Sequence, residues 1–320
     1  MSYAFEAEGL VKRYGRTTAL GGIDLHARRG TVLGVLGPNG AGKTTAIQIL
    51  TTLLRPDAGR AVVGGLDVVR DAARVRRMIG LTGQYATVDE DLTGTENLVL
   101  LGRLLDLSRT AARSRATALL AQLGLTDAGG QRVSTYSGGM RRRLDLAAGL
   151  IGRPEIVFLD EPTTGLDPGK REDLWATIRS LADDGATVLL TTQYLEEADA
   201  LADEITVIDH GRVIAHDTPA GLKQLVGGRT IVVRPSDPDR LGAAARVVER
   251  VTGRPADHLH GGALTTPADT AQAFTDVVGA LGVAGIDVAE LALRLPSLDE
   301  VFFSLTGTTG HDVTETRETA

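Results

Sequence analysis

The chain has 320 residues, of which 42% are apolar, and its 34 basic and 41 acidic side chains give a net charge of −7. This length and composition predict two domains with packed cores, and the acidic balance disfavours a nucleic-acid-binding protein. There is no cysteine, which excludes disulfides and thiolate metal sites. The apolar runs, such as Thr187–Thr192, are far shorter than the roughly 18 residues that span a bilayer. Because residues 1–8 are acidic and do not resemble a signal peptide, we expect a cytoplasmic chain that needs a separate partner at any membrane.

Residues 3–36 are predicted to form strands joined by turns, because Tyr3 to Leu10 alternates between apolar and polar side chains and Gly21-Gly22 and Arg29-Gly30 mark turns. Tyr14 stands just before another turn and ahead of a glycine-rich segment. Its ring is placed either to stack on a nucleotide base or to cover the core at the end of a strand. The sequence pattern leaves both interpretations open.

A glycine-rich loop lies between an apolar strand at 31–36 and a helical apolar pattern at 46–54. Strand, loop and helix in this order form the context of a phosphate-binding loop, and the spacing G-x-x-x-x-G-K-T is complete. The glycines allow several N–H groups to point inward, and the helix start adds partial positive charge. The loop comprises Gly37, Pro38, Asn39, Gly40, Ala41, Gly42, Lys43, Thr44 and Thr45.

Lys43 and Thr44 carry the chemistry expected of this loop. Four of the 34 basic residues are lysines, and a compact ammonium fits a tight phosphate cradle where a planar guanidinium would not. Lys43 would bind the outer phosphates of a nucleotide, and the Thr44 hydroxyl would be a ligand of Mg²⁺. The alternative is a glycine-rich turn before a core helix, which does not explain the complete motif.

A short helix is predicted at 69–77, and Gln84 follows a predicted strand at 79–82. Ligand contacts are usual where a parallel strand gives way to a loop. The Gln84 amide oxygen is therefore placed to reach Mg²⁺ or an attacking water, although most glutamines at strand ends do neither. Beyond it, a helical insertion is predicted at about 94–150, between the two halves of a nucleotide site.

A serine and two glycines open a second predicted helix within this insertion. The segment comprises Tyr136, Ser137, Gly138, Gly139 and Met140. Ser137 can cap the helix, and the glycines expose its N-terminal amides, so a second anion site is predicted at a helix start. The alternative is an ordinary capped helix with Arg141 to Arg143 as its solvated face.

Asp160 and Glu161 close a run of four apolar residues that predicts a buried strand. Two acids at this position need a reason, because buried charges are costly. Asp160 is placed to hold Mg²⁺ through water, and Glu161 is the natural general base for an attacking water. Asp167 lies in a tight loop before the next predicted helix, and Gln193 directly follows the core strand Thr187–Thr192.

The nucleotide-binding domain is predicted to span residues 1–226, with Gly227-Gly228 at its boundary. Residues 228–306 then follow the order β-α-β-β-α-β, which is the ferredoxin-like pattern, and finish with an amphipathic helix at 296–305. Residues 307–320 are polar and are predicted to be disordered.

In order and spacing, residues 1 to about 225 resemble the ATP-binding subunits of ABC transporters. The matching positions are Tyr14 for the aromatic residue that stacks on adenine, Gly37 to Thr45 for the phosphate loop, Gln84 for the glutamine loop, Tyr136 to Met140 for the family signature, Asp160 and Glu161 for the Mg²⁺ strand and catalytic base, and Gly165 to Asp167 for the dimer loop. The resemblance implies an α/β fold: a P-loop NTPase cassette with a RecA-like core, an antiparallel β subdomain and a helical subdomain, followed by a small C-terminal α+β domain.

Four segments more closely resemble the daunorubicin-resistance type of exporter ATPase, namely Thr82-Gly-Gln-Tyr, Tyr136-Ser-Gly-Gly-Met, Thr191-Thr-Gln-Tyr-Leu-Glu-Glu-Ala-Asp and Leu298-Asp-Glu-Val-Phe. This resemblance implies an ATPase that uses ATP and Mg²⁺, with Lys43, Glu161 and Gln193 in its catalytic machinery. It also implies a homodimer around two ATP molecules, each held between one subunit's phosphate loop and the other's signature. The dimer would drive efflux of an antibiotic or amphiphilic drug through a separate permease, which would bring the chain to the cytoplasmic face of the membrane.

Two positions depart from the family pattern. Met140 replaces the usual signature glutamine, and Gln193 stands where a switch histidine is usual. Glutamine can still hydrogen-bond a phosphate or orient water, but it cannot carry a titrating proton.

The alternative function is that of a soluble ABC ATPase without a transport role, which the single cassette and negative charge disfavour. A phosphate-loop kinase or GTPase is disfavoured by the signature.

Overall fold

A computed structural model describes residues 3–83, 88–225, 229–259, 262–268, 270–294, 297–298 and 301–302. The chain divides into two compact units, one ending at Pro219 and one beginning at Ala220. Three features of the sequence prediction lie outside the described residues, namely Gln84, the glycine pair Gly227-Gly228 and the polar segment 307–320.

The first unit alternates strands and helices, which confirms the predicted α/β fold. Its strands are β1 (Tyr3–Tyr14), β2 (Thr17–Arg28), β3 (Val32–Leu36), β4 (Ala58–Val63), β5 (Leu66–Asp67), β6 (Ile79–Thr82), β7 (Ile156–Asp160), β8 (Thr187–Thr192), β9 (Glu204–Asp209) and β10 (Arg212–Asp217). Its helices are α1 (Lys43–Leu50), α2 (Ala72–Met78), α3 (Gly94–Leu104), α4 (Arg109–Gln122), α5 (Gly138–Leu150), α6 (Pro168–Asp183), α7 (Leu195–Leu201) and α8 (Pro219–Leu225), which starts at the end of the unit. Among the helices that the structure describes, none has the length and hydropathy needed to cross a bilayer.

Helix α2 begins three residues later than the sequence predicted. The Asp67 carboxylate accepts hydrogen bonds from the backbone N–H groups of Val69 at 2.9 Å and Arg70 at 3.0 Å. These bonds hold the chain in an Asx-type turn, which competes with helical hydrogen bonding at the same residues. The helix therefore starts at Ala72.

The six-stranded sheet at the centre of this unit has the order β10-β9-β3-β8-β7-β6. Its strands run parallel except β10, which pairs antiparallel with β9. On one face, Phe158 and Leu189 pack with α1 and the antiparallel sheet β2-β1-β4-β5, whereas Val157 and Leu190 pack on the other face with α5 and α6. Because both faces are covered, β3, β7 and β8 are buried at every residue instead of alternating between buried and exposed positions.

The register of the sheet aligns the carboxyl ends of its three central strands. Leu36 at the end of β3 pairs with Thr192 at the end of β8. Asp160, the last residue of β7, pairs with Thr191 on the opposite side of β8. The loops that leave β3, β7 and β8 therefore start side by side at one edge of the sheet.

Three helices from the predicted insertion, α3, α4 and α5, share one apolar core that includes Leu98, Leu119 and Leu144. Helix α3 begins with a reciprocal capping box, in which the Thr93 hydroxyl accepts from the Glu96 N–H and the Glu96 carboxylate accepts from the Thr93 N–H. This local capping and the shared core together explain why the segment is helical.

The second unit contains β11 (Arg229–Pro235), α9 (Leu241–Thr252), β12 (Asp257–Leu259), β13 (Ala263–Ala268), α10 (Ala271–Val283) and β14 (Val288–Arg294). Its four strands pair antiparallel in the order β12-β13-β11-β14. Ile231 and Val233 from the sheet pack with Val248 of α9 and Val277 of α10. The elements thus follow a β-α-β-β-α-β order around a separate core. The predicted final helix is described only at 297–298 and 301–302.

Three titratable side chains from β2, β9 and β10 face one another in the first unit. Nε2 of His216 lies 3.9 Å from a Glu204 carboxylate oxygen, Nδ1 lies 2.8 Å from the Thr206 hydroxyl, and its ring centroid is 5.0 Å from that of His26. Burial, followed by the neighbouring His26, lowers the pKa of His216 against the opposing effect of the carboxylates of Glu204 and Asp217. The fold therefore favours the neutral form of His216.

This pKa shift predicts a pH dependence of stability. Because the folded-state pKa of His216 lies below its unfolded value of about 6.5, the stability that neutral His216 provides is fully present above about pH 6.5. It is lost as the pH falls through the lower folded-state pKa. We expect His216→Gln to lose less stability than the wild type between about pH 8 and pH 5, measured by urea unfolding.

His210→Gln provides the control for this measurement, because the His210 side chain is 94% exposed. We expect that variant to keep the wild-type dependence on pH. If His216→Gln also follows the wild-type curve, the assignment to His216 is wrong.

Candidate functional site

A cavity of about 300 Å³ opens beside the carboxyl edge of the central sheet. Its lining residues are Ala19, Asn39, Gly40, Gly42, Lys43, Thr44, Thr45 and Glu161. Most of them belong to the predicted phosphate loop, and Glu161 joins them from the loop that follows β7. Two segments far apart in the sequence thus meet at one polar cavity.

The backbone of the phosphate loop packs so closely against its neighbours that glycine is required at two positions. A Cβ atom at Gly37 would lie 2.2 Å from the Ile208 carbonyl oxygen. Gly42 has a φ of 110°, in the left-handed region, and a Cβ atom there would lie 2.6 Å from the Ala19 carbonyl oxygen. Gly42 is also the N-cap of α1 and has no side chain to cap it, which leaves the first N–H groups of the helix for an anion.

The Lys43 side chain is 4% exposed, and its ammonium group is held by loop carbonyls. Nζ donates to the carbonyl oxygen of Gly37 at 2.8 Å and to that of Pro38 at 3.1 Å. It also lies 3.6 Å from Oε1 of Glu161. These contacts compensate the buried charge and fix it at the wall of the cavity.

Asp160 is 5% exposed and brings a carboxylate next to the Thr44 hydroxyl. Its Oδ1 accepts from Thr44 Oγ1 at 3.3 Å and from Thr191 Oγ1 at 2.5 Å. Hydroxyl and carboxylate oxygens are the hard ligands that Mg²⁺ prefers, so this donor set fits the ion. Two of the three predicted metal-binding residues therefore lie together, while the third, Gln84, lies outside the described residues.

Glu161 occupies an unusual backbone conformation, with a φ of 49°. Its N–H donates to both the carbonyl oxygen and the hydroxyl of Thr191, each at 3.1 Å. Its carboxylate accepts a hydrogen bond from Thr164 Oγ1 at 3.3 Å. A non-glycine residue in the left-handed region costs of order 1–3 kcal/mol, and such strain clusters at functional sites. The turn carries the Glu161 carboxylate out of the strand and towards Lys43.

Thr191 is a site residue that the sequence pattern did not identify. It is fully buried in β8, yet it contacts both Asp160 and Glu161. The available signal was a hydroxyl side chain in a buried strand, but β8 contains two other threonines, Thr187 and Thr192. That signal is weak, because a threonine in a strand is also explained by its β-branched shape.

Two further predicted site residues, Gln193 and Tyr14, are described by the structure but are not among the residues that line the cavity. Gln193 directly follows β8 and is half-buried. Tyr14 ends β1 with 49% of its surface exposed, and Lys12 Nζ lies 5.9 Å from the centroid of its ring. The Tyr14 ring therefore does not cover the core, and stacking on a base stays a prediction.

Asp167 is the N-cap of α6 and accepts a hydrogen bond from the backbone N–H of Lys170 at 3.1 Å. Its carboxylate also pairs with the Lys170 ammonium. The hydrogen bond from the Lys170 side chain, followed by that from the backbone N–H, lowers the pKa of Asp167. The dimer-loop position is thus a charged helix cap.

The signature segment begins α5, as the sequence predicted. Ser137 is the N-cap, and its hydroxyl accepts from the Met140 N–H at 3.3 Å. Gly138 is exposed, and a Cβ atom added there would meet no atom within 4 Å, whereas Gly139 is half-buried and the Met140 side chain packs against the helical core. Within the part of the chain that the structure describes, none of these four residues lines the cavity at Lys43.

The contacts of Arg142 contradict the alternative interpretation, in which residues 141–143 are the solvated face of α5. Its guanidinium donates to the carbonyl oxygens of Gly83 at 3.0 Å, Asp160 at 2.8 Å and Pro162 at 2.9 Å, and also to that of Glu161. Burial lowers the pKa of Arg142. The sequence offered no sign of this role, because the arginines on either side of it are chemically identical.

A phosphate loop with a buried lysine, set beside paired carboxylates at the edge of a parallel sheet, defines a P-loop nucleoside triphosphatase. The sequence profile described as ABC transporter matches residues 20–164. The chain belongs to the ABC transporter family as an ATP-binding subunit. ATP hydrolysis is the activity of this class, so the predicted family and the predicted ATPase activity are both confirmed.

Similar proteins match over nearly the whole chain. The daunorubicin resistance ATP-binding protein DrrA2 of Streptomyces coeruleorubidus is 56% identical over 95% of this chain and 95% of its own length. The daunorubicin/doxorubicin resistance ATP-binding protein DrrA of Streptomyces peucetius is 50% identical over 95% of this chain and 92% of its own. The structure of cbiO1 from Clostridium perfringens, part of the ABC transporter complex cbiONQ, superposes with a TM-score of 0.64 and 25% identity, covering 71% of this chain and 94% of cbiO1. ATP-binding subunits of this kind work with membrane permeases.

The close contact at Gly37 predicts a strong effect of a single methyl group. We expect Gly37→Ala to displace the phosphate loop or strand β9, because the added Cβ would overlap the Ile208 carbonyl oxygen. Overpacking of this kind costs about 1–3 kcal/mol. Thermal unfolding and titration with a fluorescent ATP analogue would show a lower Tm and weaker binding.

Gly130→Ala is the matched control, because an added Cβ there meets no atom within 4 Å. That variant should keep the Tm and the nucleotide affinity of the wild type. Unchanged nucleotide binding by Gly37→Ala would contradict the proposed tightness of the loop.

Proposed function

We propose that this chain is the ATP-hydrolysing subunit of an exporter that removes an antibiotic or similar amphiphilic drug from the cell. The similarity to daunorubicin-resistance proteins over 95% of both chains supports this function. It extends through the second unit, which lies beyond the residues matched by the general family profile. A separate permease would form the pathway for the drug and would hold this chain at the cytoplasmic face of the membrane.

The active form in this proposal is a homodimer with two composite ATP sites. Each site would join the phosphate loop of one copy to the Ser137 helix start of the other. The arrangement of a single copy supports this, because Ser137, Gly138 and Gly139 are absent from the described lining of its own cavity. Two facing copies of one surface satisfy both halves with a single symmetric interface.

In each site, Lys43 and the first N–H groups of α1 would bind the β- and γ-phosphates. Thr44 and Asp160 would hold Mg²⁺, with Gln84 as a further ligand, and the ion would neutralise charge on the phosphates. Tyr14 would stack on the adenine of the nucleotide, and the N–H groups at Ser137, Gly138, Gly139 and Met140 of the other copy would bind its γ-phosphate, next to Asp167.

The hydrolytic step would use Glu161 as the general base. Its carboxylate would accept a proton from a water molecule, whose oxygen attacks the γ-phosphorus while the bond to the ADP oxygen breaks. The hydrogen bond that its carboxylate accepts from Thr164, and the bond that its N–H donates to the Thr191 hydroxyl, hold this residue in place. Gln193, at the end of β8, would donate its amide N–H to a γ-phosphate oxygen or orient the water, without taking up a proton.

Replacement of the base tests both the chemistry and the dimer. We expect Glu161→Gln to bind ATP but to lower kcat by about 10²–10⁴-fold, because the amide cannot accept the proton. Because the γ-phosphate is then retained, the variant should form a stable dimer in Mg-ATP, which size-exclusion chromatography with light scattering would detect.

Lys43→Ala is the control for this experiment, since it removes the charge that binds the phosphates and should remain monomeric. A Glu161→Gln variant that stays monomeric at saturating ATP would refute the composite site.

The transport function has a direct test in cells that are sensitive to daunorubicin. We expect co-expression of this chain with the permease of its transporter to lower the fluorescence of accumulated daunorubicin, because ATP hydrolysis drives the drug outward. The permease paired with Lys43→Ala, and this chain without the permease, should both leave accumulation unchanged. Equal accumulation with wild type and Lys43→Ala, at equal expression, would contradict export of this drug.

A further inference from the structure

The guanidinium of Arg142 joins its own helix, α5, to two other segments of the first unit, at the ends of β6 and β7. It projects from α5 and contacts Gly83 at the end of β6, Asp160 at the end of β7, and the turn formed by Glu161 and Pro162. All four acceptors are backbone carbonyl oxygens. The contacts therefore depend on the backbone path of the catalytic loop and not on the identity of its side chains.

Arginine is suited to this position by its shape and permanent charge. A guanidinium carries five N–H donors in a rigid plane, whereas a lysine ammonium carries three donors at one point. Burial lowers the pKa of Arg142, and the nearby carboxylates of Asp145, Asp160, Glu161 and Glu197 act in the opposite direction. The side chain thus remains a cation that can satisfy several carbonyls of a strained turn at once.

Arg142 is also close in the sequence to the signature. It lies five residues after Ser137, which corresponds to a rise of about 7.5 Å along the same helix. Helix α5 is packed in the apolar core through Leu144, Leu146 and Ala147. A helix held in this way moves as a rigid element, so a displacement of its N-terminus is carried to the guanidinium.

We propose that Arg142 is a positioning residue that couples the signature of each copy to the same copy's catalytic loop, and so couples the two composite sites. This inference rests on the proposed homodimer. When Ser137 and the helix start engage the nucleotide held by the partner copy, Arg142 shifts the turn that carries Glu161. One site then affects the geometry of the other through a single side chain and four hydrogen bonds.

Homodimers of single variants measure the strength of this contact. We expect Arg142→Met to lower kcat by about 10²-fold with little change in KM for ATP, because misplacement of a catalytic group by about 1 Å has an effect of this size. Arg142→Lys keeps the charge and should retain more activity. Arg115→Met is the matched control, because Arg115 is also a partly buried arginine whose guanidinium donates to a backbone carbonyl oxygen, that of Leu150 at 3.0 Å, away from the catalytic loop and the signature.

Mixed dimers separate coupling from local support. Two differently tagged copies are co-expressed with the permease and isolated through both tags, and Glu161→Gln in one copy leaves a single active site. In the first pair, Arg142→Met is placed in the copy that keeps Glu161. In the second pair, it is placed in the copy that carries Glu161→Gln, so that the active site has a wild-type catalytic loop and receives only the altered copy's signature.

Coupling predicts that hydrolysis falls in both pairs, relative to a pair that carries Glu161→Gln alone, with nucleotide affinity and Tm unchanged. The same pairs made with Arg142→Lys should show a smaller fall of the same pattern, which guards against misfolding of Arg142→Met. Full activity in the second pair would overturn the inference and leave Arg142 as a local support. If the pair with Glu161→Gln alone forms no ATP-dependent dimer, the proposed homodimer itself is wrong, and this result is distinct from the former.

Discussion

The parallel register of β3, β8 and β7 is the constraint on which the nucleotide site depends. Leu36 pairs with Thr192 and Asp160 pairs with Thr191, so the three strands end within one residue of one another. The phosphate loop, the acid pair and Gln193 therefore leave the sheet at neighbouring points. A shift of one residue in any of these pairings would turn the side chains to the opposite face and separate the oxygens of Thr44 and Asp160.

Three charged groups lie buried or partly buried around this edge, and each is compensated by hydrogen-bond partners. Carbonyl oxygens and Glu161 surround the ammonium of Lys43, hydroxyls donate to Asp160, and carbonyls accept from Arg142. In the low dielectric of the interior these hydrogen bonds are strong, and loss of one partner leaves a buried group unsatisfied. The geometry is therefore rigid, as positioning for phosphoryl transfer requires.

The first unit places the two helix starts that we propose as phosphate-binding sites in different layers. Helix α1 begins at the edge of the sheet, whereas α5 begins in the helical layer, where Ser137 caps it and the adjoining Gly138 is exposed. Arg142 lies where these two layers meet, since it extends from the helical layer to the catalytic loop. The proposed coupling between two copies of the chain rests on this connection.

The amino-acid sequence alone determined the features that depend on local spacing. The phosphate loop, the Ser137 cap and the acid pair at the end of an apolar strand all follow from residues close together in the chain. The α/β fold also follows, because helical and strand patterns alternate along it. Tertiary structure decided the rest: that Thr191 contacts both acids, that Glu161 adopts a left-handed conformation, and that Arg142, unlike its neighbours, reaches the catalytic loop. These contacts join residues about 20 to 60 positions apart through backbone carbonyls and hydroxyls, and such groups leave no periodic pattern in a sequence.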